Sequence, residues 1–191
     1  MRTIVFDIET ANWFADIGSS DPADLTLALV AVYDSGTNSY DSFIESELPR
    51  LWKMLELADV IVGYNSDHFD IPLLNKYYPG DLTRIRSIDI MKKIYEVAGR
   101  RIKLDSVAAA TLGEGKSSDG LQSLKWWRAG EIDKVRQYCI KDVELTKRLY
   151  EYALEHGSLK YRDMGAKREV KFDTSGWLVG ESRALTHTLP F

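Results

Sequence analysis

Asp7 and Glu9 stand two residues apart. On an extended strand that spacing sends both side chains out of the same face, about 7 Å apart along the backbone. Two carboxylates so placed can reach one metal ion. With 29 acidic residues in the chain, acid-x-acid pairs arise by chance roughly four times, so the pair needs support from elsewhere. Asp70 follows the short apolar run Val60-Ile61-Val62 and opens a segment of helical pattern. Sites in open α/β sheets gather at the carboxyl ends of such strands, although a first-turn acid is also favourable to a helix dipole with no further role. Asp142 lies four residues after Tyr138, on the same side of a helix. It neighbours an apolar stripe containing Cys139, Val143 and Thr146 and is predicted to point inward. There an ionised carboxylate is costly unless it is paired or bound to metal. Lys141 and Arg148 are near in sequence but fall on other faces. Hard oxygen donors with no His or Cys cluster select Mg²⁺ or Mn²⁺ rather than zinc. Two such ions about 4 Å apart clamp an in-line attack on phosphorus.

The elements that must position these acids are read from periodicity. Residues 2–9 alternate, with Ile4, Phe6 and Ile8 on one strand face and Val5, Asp7 and Glu9 on the other. Residues 10–24 form a loop with Gly18-Ser19-Ser20 and Asp21-Pro22 as breakers. Apolar residues 25–33, a turn at 34–38 and a strand at 39–44 predict an antiparallel pair. Leu48, Leu51, Trp52 and Leu55 recur at helical spacing, with Pro49 tolerated in the first turn. Residues 60–62 are apolar on both faces, as in a buried parallel strand. A helix is predicted over 69–78, a short strand over 84–88, and a helix capped by Asp89 that stops at Gly99. Residues 105–112 form another short helix and 114–120 a polar loop. The longest helix covers 132–153. Trp126 and Trp127 are placed beside its start. Beyond Gly157 the pattern weakens, with a hairpin around Gly165. The order is that of an α/β fold, a mixed β-sheet flanked by α-helices. One domain spans 1–155, with a C-terminal extension at 156–191.

Composition bounds the rest. A net charge of −4 and a pI near 5.5 argue against a broad basic surface that coats nucleic acid. They leave room for an enzyme that grips its substrate through cations. Cys139 is the one cysteine, which excludes an intramolecular disulfide framework and fits a reducing compartment. No run approaches the ~18 to 20 apolar residues of a membrane span. The strand-like start predicts no signal peptide, and the expected setting is the cytoplasm.

Three segments carry a resemblance. Phe6-Asp7-Ile8-Glu9-Thr10 resembles the first motif of the DEDD (DnaQ-like) 3′-to-5′ exonucleases. Asn65 through Phe69-Asp70 resembles the second, and Tyr138-Cys139-Ile140-Lys141-Asp142 the third in its tyrosine form. The histidine form would place His at position 137, which is Gln137 here. Residues 104–113, with Lys116 after them, resemble the same group, whose proofreading relatives in family-B DNA polymerases and stand-alone bacterial proteins are the nearest in pattern. Coverage is about residues 1–155.

The resemblance implies a ribonuclease H-like fold and a metal-dependent exonuclease that acts at the 3′ end of single-stranded nucleic acid, DNA favoured. Asp7, Glu9, Asp70 and Asp142 would hold two divalent cations, Mg²⁺ or Mn²⁺. Tyr138 would orient the attacking water, because a phenol with a pKa of about 10 is a poor base. Thr10, Asn65 and Phe69 would meet the terminal nucleotide. A ribonuclease of the same fold, or a catalytically silent nucleic-acid-binding module, are the alternatives. His68 could touch phosphate or simply face solvent. Trp126 and Trp127 could stack bases or pack in the core.

Overall fold

In the computed structural model, which describes residues 1–115 and 120–178, the N-terminal alternation becomes strand β1 (Thr3–Thr10). Ile4, Phe6 and Ile8 enter one core cluster and Val5 a second, on the opposite face. Within residues 10–24 the chain forms a short helix, α1 (Phe14–Ile17), and a 3₁₀ turn (Pro22–Asp24). Strands β2 (Leu27–Asp34) and β3 (Ser39–Ile44) pair antiparallel, as their spacing predicts. Helix α2 (Leu48–Glu56) buries Leu48, Leu51, Trp52 and Leu55, each side chain contributing about 1.5–3 kcal/mol. Strand β4 (Val60–Gly63) is buried throughout.

Helix α3 (Asp70–Asn75) is shorter than the 69–78 expected. Its end loosens where the amides of both Tyr77 and Tyr78 return to the Leu74 carbonyl. The strand expected at 84–88 is β5 (Ser87–Asp89). Residues before it are taken by a 3₁₀ turn (Leu82–Arg84) that Asp81 caps by accepting from the Thr83 amide. Helices α4 (Ile90–Ala98) and α5 (Leu104–Thr111) lie near the expected positions, with Asp89 capping α4 through the Lys92 amide. The sequence reading misses helix α6 (Gly120–Arg128). Trp126 and Trp127 lie in its last turn, half-buried against the core, rather than beside a helix start. The loop placed at 114–120 falls largely outside the described residues, Lys116 with it.

Helix α7 (Ile132–His156) carries Tyr138 and Asp142. Arg136 ties it to the sheet, donating to the Ser42 carbonyl and hydroxyl at 2.8 and 2.7 Å and pairing with Glu47 at 3.3 Å. After it, β6 (Ser158–Asp163) and β7 (Ala166–Lys171) form a hairpin. Its turn residues Met164 and Gly165 have φ of 46° and 82°, the positive values a type I′ turn requires. Leu159, Tyr161, Val170 and Trp177 join the same core cluster as α7. Among the described residues no helix is long and apolar enough to cross a membrane.

The five-stranded sheet runs β3-β2-β1-β4-β5. Helices α2 and α3 cover one face; α4, α5, α7 and the hairpin pack on the other. Strands β1, β4 and β5 are mutually parallel, so their carboxyl ends share one edge. Asp7 and Glu9, the turn from Gly63 to Asp70, and Asp89 all reach that edge.

At the far end of the sheet, Arg2 donates from Nε and Nη2 to Asp34 at 3.0 and 2.5 Å. The Asp34 side chain is 1% exposed and that of Arg2 28%. The Arg2 hydrogen bonds hold the Asp34 carboxyl below its usual range. Asp34→Ala removes the acceptor of two charge-assisted hydrogen bonds from a guanidinium that water can partly reach, with an expected cost of about 1–3 kcal/mol in denaturant unfolding. A depressed carboxyl stabilises above its unfolded pKa and loses that contribution as pH falls. The variant should therefore lose less stability than the parent below about pH 4.

Candidate active site

The alternation of β1 aims Asp7 and Glu9 at α7 and at the sheet edge. Past Glu9 the pairing with β2 slips: Glu9 lies opposite Leu29 but Thr10 opposite Leu27. The extra residue on β2, Ala28, makes a bulge, a feature that re-aims side chains and recurs beside active sites. The loop that follows is pinned by Ala11 N–H to the Thr26 carbonyl at 2.8 Å and by Thr10 Oγ1 to the Asn12 carbonyl at 2.9 Å.

Asp70 reaches the same place through a tight turn after β4. A Cβ on Gly63 would stand 2.4 Å from both Cβ and Oγ of the fully buried Ser66, so the residue before the turn must be glycine. Asn65 adopts φ 67°, a left-handed conformation that asparagine tolerates better than most residues. Its carbonyl accepts from the His68 and Phe69 amides. The Asp89 carboxylate holds the turn from below, accepting from the Asn65 amide at 2.8 Å and the Asp67 amide at 3.1 Å while it caps α4. In sequence, Asp89 reads only as the cap. The other two bonds span 24 and 22 residues and carry no local signal.

A cleft of about 260 Å³ collects the products of these elements. Asp7, Glu9, Asp70 and Asp142 line it, together with Thr10, Asn65 and Phe69. Asp70 and Asp142 are each 4% exposed, while Asp7 and Glu9 are half-buried. Burial, then the negative charge of Asp7 and of Asp89, push the Asp70 carboxyl well above its usual range, against the pull of the Asp70 and Ile8 amides. The Asp70 carboxyl therefore faces β1 at the Ile8 amide, near Asp7. Tyr138 is buried beside this wall, not among the lining residues, with its ring edge-on to Trp126 at 5.9 Å between centroids.

Two neighbours of the cleft carry no motif. Cys139 is fully buried and its thiol donates to the Asp7 carbonyl and Oδ2, both at 3.4 Å. Burial and the carboxylates of Asp7, Glu9 and Asp142 push that thiol well up. The amphipathic stripe of α7 placed Cys139 in the core; its contact with a residue 132 positions away could not be read from spacing. Trp13, 42% exposed, lines the cleft mouth. It meets Phe14 edge-on at 5.8 Å, and Phe14 meets Phe69 at 6.1 Å, so an aromatic row borders the carboxylates. Lys141 and Arg148 pair with Glu144 and Glu114, away from Asp142 as their helical positions imply. His68 is exposed.

The donor set fits hard divalent cations. Ligand atoms of Asp7, Glu9 and Cys139 lie within 4.8 Å of one another. Hard cations prefer the carboxylate oxygens to sulfur, and Asp70 and Asp142 add two more carboxylates on the same cleft. So many carboxylates around one cleft repel each other unless a cation sits among them.

The sequence profile of the RNase H superfamily matches residues 4–154. No curated protein matches the chain. Among solved structures, the family B DNA polymerase from the hyperthermophilic archaeon Pyrobaculum calidifontis is similar, with a TM-score of 0.59 and 22% identity. The match covers 81% of this chain and 24% of the polymerase, so the likeness is one of fold, to a part of a longer protein.

Proposed function

The chain belongs to the RNase H superfamily, and on that premise we propose that it is a metal-dependent 3′-to-5′ exonuclease acting on single-stranded nucleic acid, DNA in preference to RNA. The observation that carries this reading is the convergence of Asp7, Glu9, Asp70 and Asp142, from β1, α3 and α7, on one cleft. Asp7, Glu9, Asp70 and Asp142 would hold two divalent cations, Mg²⁺ or Mn²⁺, which would supply Lewis-acid stabilisation of the charge that develops on the attacking and departing oxygens. Water attacks the terminal phosphodiester phosphorus, the bond to the 3′ oxygen of the penultimate nucleotide breaks, and a nucleoside 5′-monophosphate leaves. Tyr138 orients the water through its hydroxyl. Thr10 and Asn65 position the terminal nucleotide, and Phe69, backed by the Phe14 ring, meets its base.

The test is a 5′-labelled single strand incubated with Mg²⁺ or Mn²⁺, in parallel with the same strand blocked at its 3′ end and with an RNA of matched sequence. The expected result is progressive shortening from the 3′ end, stopped by chelator and by the block, and faster on DNA. Internal cutting of the blocked strand, or intact substrate under both metals, overturns the reading. Tyr138→Phe, which removes only the hydroxyl, should lower kcat about 10²-fold with KM nearly unchanged. Equal kcat would assign Tyr138 to packing against Trp126.

A further inference from the structure

The carboxylate cleft does not end at Asn65. The same residue lines a second cleft of about 420 Å³, whose walls include His68, Tyr95, Lys92 and Arg101. Lys92 and Asp67 in turn line a third, of about 570 Å³, with Thr83, Arg84 and Arg86. The three are contiguous through shared residues, and each of the outer two has room for a small-molecule-sized group.

Their electrostatics differ from those of the whole chain. The protein carries a net charge of −4, yet Lys92, Arg101, Arg84 and Arg86 all face this track. The two acids that line the track, Asp67 and Asp89, accept from donors. Asp67 accepts from Ser87 Oγ at 2.7 Å and Lys92 Nζ at 2.7 Å, and Asp89 accepts the backbone amides of the Asn65 turn and of α4. Arg86 lines the third cleft and donates to the Gly176 carbonyl. Arg84 and Arg101 are exposed and form no ion pair among the described residues. Tyr95 is 50% exposed at the second cleft, and such a ring offers a stacking face to any base without sequence preference.

We propose that this track is a second binding site, which takes the sugar-phosphate backbone of the strand on the 5′ side of the scissile bond. Arg101, in the second cleft, meets one phosphate region and Arg84, in the third, the next, while Tyr95 stacks a base in the second cleft. The site therefore spans at least three nucleotides and explains how a protein acidic overall holds a polyanion. It rests on the reading of the carboxylate cleft as the place where the 3′-terminal phosphodiester is cut.

The experiment compares the full chain with R84E/R101E, and with K53E/K125E as a reversal of equal charge at exposed positions away from the track. Hydrolysis is measured on oligothymidylates of two and eight nucleotides and on the p-nitrophenyl ester of thymidine 5′-monophosphate, which fills only the terminal position. Binding of the eight-mer is measured by fluorescence anisotropy with Ca²⁺ present. For R84E/R101E the expected result is a loss of roughly tenfold or more in kcat/KM and affinity on the eight-mer at low salt. The salt slope should fall by about two, and hydrolysis of the ester should stay unchanged. K53E/K125E should match the parent. Equal affinity for the eight-mer in the parent and R84E/R101E overturns the proposal, as does an equal loss in K53E/K125E. If the parent cleaves neither substrate with Mg²⁺ or Mn²⁺, the exonuclease reading fails. The anisotropy arm then still decides the track: lost affinity in R84E/R101E alone supports it, and unchanged affinity overturns it.

Discussion

Asp7→Asn is expected to reduce exonuclease activity on the order of 10³-fold while making the metal-free protein more stable. Asp7 sits at the centre of the acidic group: it receives the Cys139 thiol, raises the Asp70 carboxyl and belongs to the candidate ligand set. Lewis-acid stabilisation of a phosphoryl transition state is worth several kcal/mol, and about 4 kcal/mol is about 10³-fold in rate. The amide keeps the shape and can still accept the thiol, so packing is preserved. What disappears is a negative charge facing buried Asp70. A carboxyl whose folded pKa is raised contributes stability at low pH that is lost as pH rises through that pKa. Without its charged neighbour, Asp70 should lose less. The Tm of the metal-free variant at neutral pH is therefore expected to rise by about 2–4 °C, the shift that corresponds to about 1 kcal/mol for a chain of this size. Added Mg²⁺ should raise the Tm of the parent and leave the variant nearly unmoved. A variant that keeps parental activity, or gains as much from Mg²⁺, would remove Asp7 from the metal site.

Gly63→Ala is expected to damage activity and stability together, and Ser66→Gly to repair both. The added Cβ would meet Cβ and Oγ of Ser66 at 2.4 Å and the Phe6 ring at 3.5 Å. Ser66 cannot retreat, because it is fully buried and its carbonyl holds the Ile71 amide in the first turn of α3. Overpacking of this kind costs about 1–3 kcal/mol. The strain falls on the turn that delivers Asn65 and Asp70, and a misplacement of about 1 Å at such a site can cost 10²-fold in rate. Ser66→Gly removes both clashing atoms. The double variant should recover most of the lost rate and Tm, a coupling far from additive. Additive losses would show that glycine is needed at position 63 for another reason.

How much of this was legible beforehand depends on how local each cause is. The first-motif acids could be placed because β1 has period two and its alternate face is wholly apolar. Strand β3 and helix α2 matched their patterns because turn residues and Pro49 bound them sharply. Helix α6 escaped notice because its apolar residues are few and interrupted by Ser123 and Lys125. The second role of Asp89, the thiol of Cys139 and the exposure of Trp13 at the cleft mouth arise from contacts between distant segments. A carboxylate that caps a helix and also anchors the turn of another strand looks, in sequence, like a cap alone. In sequence the tail reads as an extension with a hairpin, and its weak apolar pattern does not show how firmly it packs, with Leu159 fully buried.

The sealed sulfur between β1 and α7 gives the molecule an internal gauge. Alkylating reagents cannot reach Cys139 while the seam is shut, and no other thiol in the chain competes for them. Under native conditions its modification proceeds at the reagent's intrinsic rate multiplied by the fraction of time the seam stands open. The seam carries Asp7 on one side and Asp142 on the other, so that rate measures the fraction of time the two sides of the candidate site stand apart.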